Sequence, residues 1–233
     1  MSKVRAKEYQ VRIDHALATP KLQDALHKFG DAFLLAREKA FSQYDFEALR
    51  QEIADCKDEV AAHRQQYLEQ FITNAEAAGA TVYLAKTAAD ANQYIADLAR
   101  TKGVKLVTKS KSMASEETHL NQALESAGVE ALETDLGEWI IQLAGQRPSH
   151  MVMPAIHMFK EEVAELFSKV TGSDEPAEIA HLVQVAREQL RQGYLDADMG
   201  ITGANVAVAE TGGIALVTNE GNARLVSTLP KIH

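Results

Sequence analysis

Three stretches of this chain concentrate side chains that bind and move protons. Lys109-Ser110-Lys111-Ser112 sets two ammonium groups and two hydroxyls between an apolar run and an amphipathic one. At the carboxyl end of a strand, beside free helix N–H groups, such residues make an anion site. The competing reading is a capped helix with solvated lysines. Glu133-Thr134-Asp135 follows the next apolar run and reaches the same sheet edge, where its carboxylates can orient a substrate hydroxyl or hold a metal. Helix capping by Asp135 and solvation of Glu133 are the alternative. In Ala209-Glu210-Thr211-Gly212-Gly213, Glu210 ends an apolar run before a glycine turn, a place for a general base or nucleophile. Turn capping competes there. Around it, Thr202-Gly203-Ala204-Asn205 and Asn219-Glu220-Gly221-Asn222 are polar turns that a core does not need. They suit a site built at strand ends. His157 lies at the far end of MVMPAI from His150, next to a helix, and is the better site candidate. An extended segment would hold the two imidazoles ~20 Å apart, too far to share a metal. Cys56 and His63 are two helical turns apart, ~10 Å, with the same consequence. Both are expected to pack on an apolar face.

These residues need a scaffold, and the periodicity supplies one. Residues 1–79 read as a helical arm. The run from Lys21, entered through Pro20, places Leu22, Leu26, Phe29 and Phe33 on one face. A second run, residues 45–78, has Phe46, Leu49, Ile53, Cys56, Val60, His63 and Tyr67 at heptad-like steps before Gly79. From residue 80 to 233 strands alternate with helices. Strands are predicted at 81–85, 105–108, 129–132 and 150–154. Helices are predicted at 88–101, 112–126, 135–144 (Asp135 and Glu138 in a capping box), 158–170 and 176–192, the last closed by Gly193. Three further strands, 204–209, 214–218 and 225–228, follow with tight turns between them. The fold class is α/β: an open, mostly parallel sheet with a mixed extension, preceded by the arm.

Composition removes several classes of function. The 233 residues carry a formal charge of −9, which disfavours nucleic acid as a partner. Hydrophobic residues make up 46%, enough for a sizeable core. No apolar run reaches the ~18 residues of a membrane span, and the amino terminus does not read as a signal peptide, so the expected compartment is the cytoplasm. A single cysteine excludes an internal disulfide and a multi-thiolate metal site, and no metal is expected. No GxGxxG follows a predicted strand.

TKSKSMASEE (108–117), ETDLGEWIIQLAGQRPSHMVMPAIH (133–157) and GITGANVAVAETGGIALVTNEGNARLVSTLPKIH (200–233) together resemble the LUD, or lactate-utilization, domain family. The likeness is greatest to the N-terminal part of the iron–sulfur subunit of a bacterial L-lactate oxidation complex. It implies a fold related to sugar-phosphate isomerases and CoA transferases, with its site at the strand ends. It also implies oxidation of L-lactate to pyruvate, with electrons passing through two [4Fe–4S] clusters in a C-terminal segment missing from this chain. Other subunits of the complex and a small anionic ligand are the implied partners, and a homo-oligomer is left open. Carried over by motif, the implied ligand-binding residues are Lys109, Ser110, Lys111, Glu116, Glu133, Asp135, Thr202, Gly203, Asn205, Thr211, Asn219, Glu220 and Asn222, with Glu210 and His157 as catalytic candidates. A stand-alone isomerase or acyl-transferase on the same fold, and a non-catalytic scaffold, are the alternatives. On the first reading this length of chain is inactive alone.

Overall fold

The computed structural model describes residues 3–218 and 220–233. Four helices come first: α1 (Lys3–Leu17), α2 (Pro20–Phe41), α3 (Phe46–Ala62) and α4 (Arg64–Ala77). The alternating part follows as α5 (Ala88–Thr101), β1 (Leu106–Lys109), α6 (Met113–Glu117), α7 (Leu120–Ser126), β2 (Glu130–Glu133), α8 (Leu136–Ala144), α9 (Lys160–Thr171), α10 (Ile179–Asp196) and β3 (Met199–Ile201). A hairpin, β4 (Val206–Val208) and β5 (Gly213–Ala215), and α11 (Asn222–Thr228) complete it.

The sheet is parallel, with order β2-β1-β3. Lys109 stands beside Glu133 and Ile201 in register. Because strand residues alternate between faces, Val107 and Lys109 share one face of β1 while Thr108 takes the other. All three are buried, which requires cover on both sides. One apolar cluster joins Val107, Ala131 and Met199 to Leu120 and Leu124 of α7. The other, on the opposite face, joins Trp139 of α8, Phe167 of α9 and Leu190 of α10, with Leu132 packed against it. Ile232 makes a parallel bridge to Met199, and Gly200 N–H donates to its carbonyl at 2.8 Å.

The open α/β architecture matches the expectation, with several local corrections. Residues 81–85 form no strand. Tyr83 instead stacks on Tyr94 of α5 at 4.0 Å and donates its hydroxyl to Asp90. Residues 150–154 are a loop between Pro148 and Pro154. The N–H groups of Val152 and Met153 donate to His150 Nδ1, leaving no row of amides for a sheet. The 20 Å separation of His150 and His157 therefore lapses. The helix expected over 112–126 breaks at His119, whose φ is 58°. The helix placed at 176–192 begins at Ile179, three residues beyond Pro176, and passes through Gly193 to Asp196. Gly193 is a contact point rather than a stop: a Cβ there would stand 2.2 Å from Leu132 Cδ2. Residues 225–228 belong to a helix, not a strand, and Gly221 caps its start rather than turning between strands. Met199–Ile201 is a strand that the periodicity missed, being only three residues long.

The antiparallel strands form a two-stranded sheet of their own, not hydrogen-bonded to the parallel one. It docks on α4 instead. Asn74 Nδ2 donates to the carbonyls of Ala209 and Glu210 at 2.9 and 3.0 Å. Gly212, with φ of 70°, lies so close that a Cβ would meet Ala75 N at 2.1 Å. The run 45–78 is two helices, interrupted at His63, and its seam is not a core. Neither α2 nor α3 has a buried residue. Cys56 and His63 are exposed, against the expectation that they pack inside.

Candidate functional site

The parallel strands deliver a group of charged side chains to their carboxyl edge. Lys109, the last residue of β1, is 1% exposed. Its ammonium donates to Glu133 Oε1 and to Asn121 Oδ1, both at 2.6 Å. Asn121 Nδ2 donates to the same Glu133 oxygen at 2.8 Å, closing a three-membered network. Two residues on, Lys111 pairs with Glu138 of α8, itself 6% exposed. Glu116 of α6 completes the group. Burial first, then the charge of Glu138 and a hydrogen bond to it, push the Glu116 carboxyl up to about 7, with Glu133 adding and Lys111 opposing. Two ammonium groups thus face three carboxylates, one of which holds a proton near neutrality. Charges this far from water are costly, and a titrating group among them is a mark of function.

Local structure explains the placement. Ser112 caps α6 through its hydroxyl, which accepts from Ser115 N–H, so the chain leaving β1 turns at once. Asp135 caps α8 by accepting from Gly137 and Glu138 N–H. Glu138 does not return the bond as a capping box would; its carboxylate goes to Lys111 instead. Thr134, 2% exposed, donates its hydroxyl to Lys109 O at 2.7 Å and ties the two strand ends together.

The third motif meets the first two in part. Gly203 packs beside Ser112: a Cβ on it would stand 3.3 Å from Ser112 Oγ. Glu220 accepts from Leu136 N–H, and burial followed by the charge of Asp135 raises its pKa. Asn222 accepts from Thr218 and lies 3.4 Å from Thr134 Oγ1. Ser110 is buried and donates its backbone N–H to Ile201 O. Thr202 Oγ1 lies 2.9 Å from His233 Nε2. Other candidates are not brought to the charged group. Glu210 sits in the hairpin turn, its carbonyl held by α4, while Thr211 accepts from Gly213 N–H in the same turn. Asn205 closes the base of that hairpin. His157 lies in the 146–157 loop, between Ser149 Oγ and Gln146 Oε1 at 2.7 Å each. Asn219 falls outside the described residues.

Asn121 and Glu138 were not foreseen. Glu138 carried a signal: it is the one carboxylate in LGEWIIQLA, where Trp139, Ile140 and Ile141 are all buried. Asn121 had none, because its role depends on the break at His119. Among the described residues no three His, Cys, Asp or Glu side chains stand together as metal ligands.

The fold and this edge define an open α/β domain whose strand ends carry a lysine–carboxylate cluster. The LUD domain model matches residues 68–233, and the chain belongs to that family. It is 41% identical to lactate utilization protein B of Oceanobacillus iheyensis over 98% of its own length and 48% of that protein's. It is 51% identical to the lactate utilization protein B of Shouchella clausii over 73% of this chain and 36% of the relative. An Escherichia coli protein described as the uncharacterized electron transport protein YkgF is 37% identical over 97% of this chain and 48% of its own length. The chain therefore spans about half the length of the curated relatives it matches or less. No solved structure matches it. No helix among the described residues is long and apolar enough to cross a membrane.

Proposed function

We propose that this chain supplies the substrate-side domain of an L-lactate oxidation system, and that the cluster around Lys111 and Glu116 receives the small carboxylate. The observation that carries the reading is the 41% identity to a lactate utilization protein over 98% of the chain. The chemistry of the cluster supports it. Lys111, partly exposed, is a point charge for a carboxylate, and Glu116 titrates where a general base for an α-hydroxyl is most useful. Converting lactate to pyruvate removes two protons and two electrons. Side chains take protons, but the electrons need a redox group.

The clusters that the resemblance implies are not built from these residues. A [4Fe–4S] cluster takes four thiolates, and this chain has one cysteine, exposed on α3. On this reading the clusters belong to the additional length of the relatives, and the domain binds and orients substrate near them. Calorimetric titration of the purified chain should show L-lactate and pyruvate binding, with no lactate-dependent dye reduction. Turnover by the chain alone, or no binding of either acid, overturns the proposal. An isomerase or acyl-transferase reading drew on Glu210 and on the Lys109–Ser112 helix start; Glu210 sits in the hairpin turn whose backbone is held by Asn74 of α4.

The exposed seam of α2 and α3 favours a second role, docking of other components of the same system. Phe33, Ile53 and Val60 are 54%, 48% and 44% exposed. Comparing partner capture by the whole chain and by one with Ile53 and Val60 changed to Ser tests it; equal capture rejects it.

A further inference from the structure

A concavity opens on the other face of the sheet, between α10, the start of α8 and α11. Its volume is about 840 Å³. That is more than a three-carbon acid fills, and it falls in the ~300–1,000 Å³ range of sites for cofactor-sized molecules. Leu136, Leu225 and Leu229 line it, and the last two are 41% and 47% exposed, so this apolar surface is open. Arg187 and Arg191 stand one turn apart on the α10 wall.

The charge balance of the cleft differs from that of the chain. The whole chain is at −9, yet among the described residues neither arginine takes part in an ion pair. Two carboxylates also line the cleft. Glu188 accepts from Gln184, its neighbour on α10. Glu220 is tied to Leu136 N–H and is pushed toward its neutral form by burial and by Asp135. Two arginines thus stand against two carboxylates in the lining, so the cleft does not share the negative balance of the whole chain. At its floor Asn222 is 7% exposed. The Asn222 carboxamide oxygen is engaged by Thr218, and among the described residues its NH₂ group reaches only Thr134, at a long 3.4 Å. An amide has two N–H donors, so Asn222 brings a second one to the lining of the cleft.

We propose that this cleft binds an organic anion of cofactor size, its phosphate or carboxylate held by Arg187 and Arg191 and its apolar body laid on Leu225 and Leu229. Guanidinium pairs bind either oxyanion bidentately, so the head group alone does not separate a nucleotide from an acyl-chain acid. The site is independent of the lactate reading: it shares neither Lys111 nor Glu116.

The test is calorimetry of the whole chain with three probes: flavin mononucleotide, ADP and decanoate. Binding of at least one is expected with a Kd below roughly 100 µM. Flavin mononucleotide or ADP alone marks a nucleotide site, and decanoate alone an acyl site. The R187Q/R191Q variant changes only exposed side chains and should keep the native circular dichroism spectrum while weakening the bound probe at least tenfold. Lys111→Met should leave that affinity unchanged. No heat from any probe at ~1 mM overturns the proposal, as does binding that ignores the double variant. Loss of probe binding on Lys111→Met with the fold intact assigns the anion to the charged cluster instead and also overturns it.

Discussion

Replacing Lys109 by Met removes the centre of the buried network while keeping most of its volume. Lys109 and Glu133 are 1% and 7% exposed, so the Glu133 carboxylate cannot recover water. It would retain the Asn121 amide and lose the ammonium at 2.6 Å. Stranding a buried charge in this way costs about 3–5 kcal/mol. In a chain of this length each kcal/mol moves the Tm by ~2–4 °C, so the variant should melt roughly 6–20 °C lower. The companion K109M/E133L variant removes both charges and should return to within ~1–2 kcal/mol of the parent, the remainder being the unpaired Asn121. Urea unfolding followed by circular dichroism at fixed pH measures both, and the cycle through the single variants gives the coupling. A loss under ~1 kcal/mol in Lys109→Met, or a double variant less stable than either single, would refute the idea of a tightly coupled buried pair. If the double variant is stable, the charges are kept for what they do at the sheet edge rather than for folding.

Glu116 gives a pH signature. Its folded pKa of about 7 lies above that of an unfolded glutamate, so between ~4.5 and 7 the folded state holds the extra proton. Its contribution is present at low pH and is lost as pH rises through that window; Glu116→Gln should flatten the slope of stability against pH there. Gly200→Ala places a Cβ 1.8 Å from the Val226 carbonyl oxygen, and should cost about 1–3 kcal/mol in denaturant unfolding as α11 is pushed off β3. Asp135→Ala removes the two cap bonds of α8, with an expected loss of ~1 kcal/mol by the same measurement. Gly212→Ala should release the β4–β5 hairpin from α4, read as faster amide exchange at Val206–Val208 with little change in the parallel sheet.

The parts legible in the sequence are those fixed by local chemistry. Helix α5 begins at a Thr87 cap and was placed to the residue, and β1 and β2 fall within a residue of the expected runs. The lysines after β1 and the carboxylates after β2 were legible as neighbours because parallel strands bring their carboxyl ends together. What stayed hidden depends on contacts distant in sequence. Leu225–Thr228 has strand-like composition, but it lies in α11, where fully buried Val226 packs on Gly200, a contact far away in sequence. Residues 150–154 look like a buried strand, but the N–H groups of Val152 and Met153 are taken locally by His150 Nδ1. Glu210 reads as a base at a strand end because nothing nearby announces Asn74, which lies 136 positions away. The buried Glu138 was assigned to a cap, since the choice between capping and Lys111 is settled by the third dimension.

The most direct test of the central claim is the ¹³C linewidth of carboxyl-labelled L-lactate titrated with the chain and with its Lys111 variants. Broadening by the parent chain, retained in Lys111→Arg and abolished in Lys111→Met with the circular dichroism spectrum unchanged, is the predicted result. A linewidth indifferent to the chain, or broadening that persists in Lys111→Met, would contradict the assignment of the cluster as the lactate site.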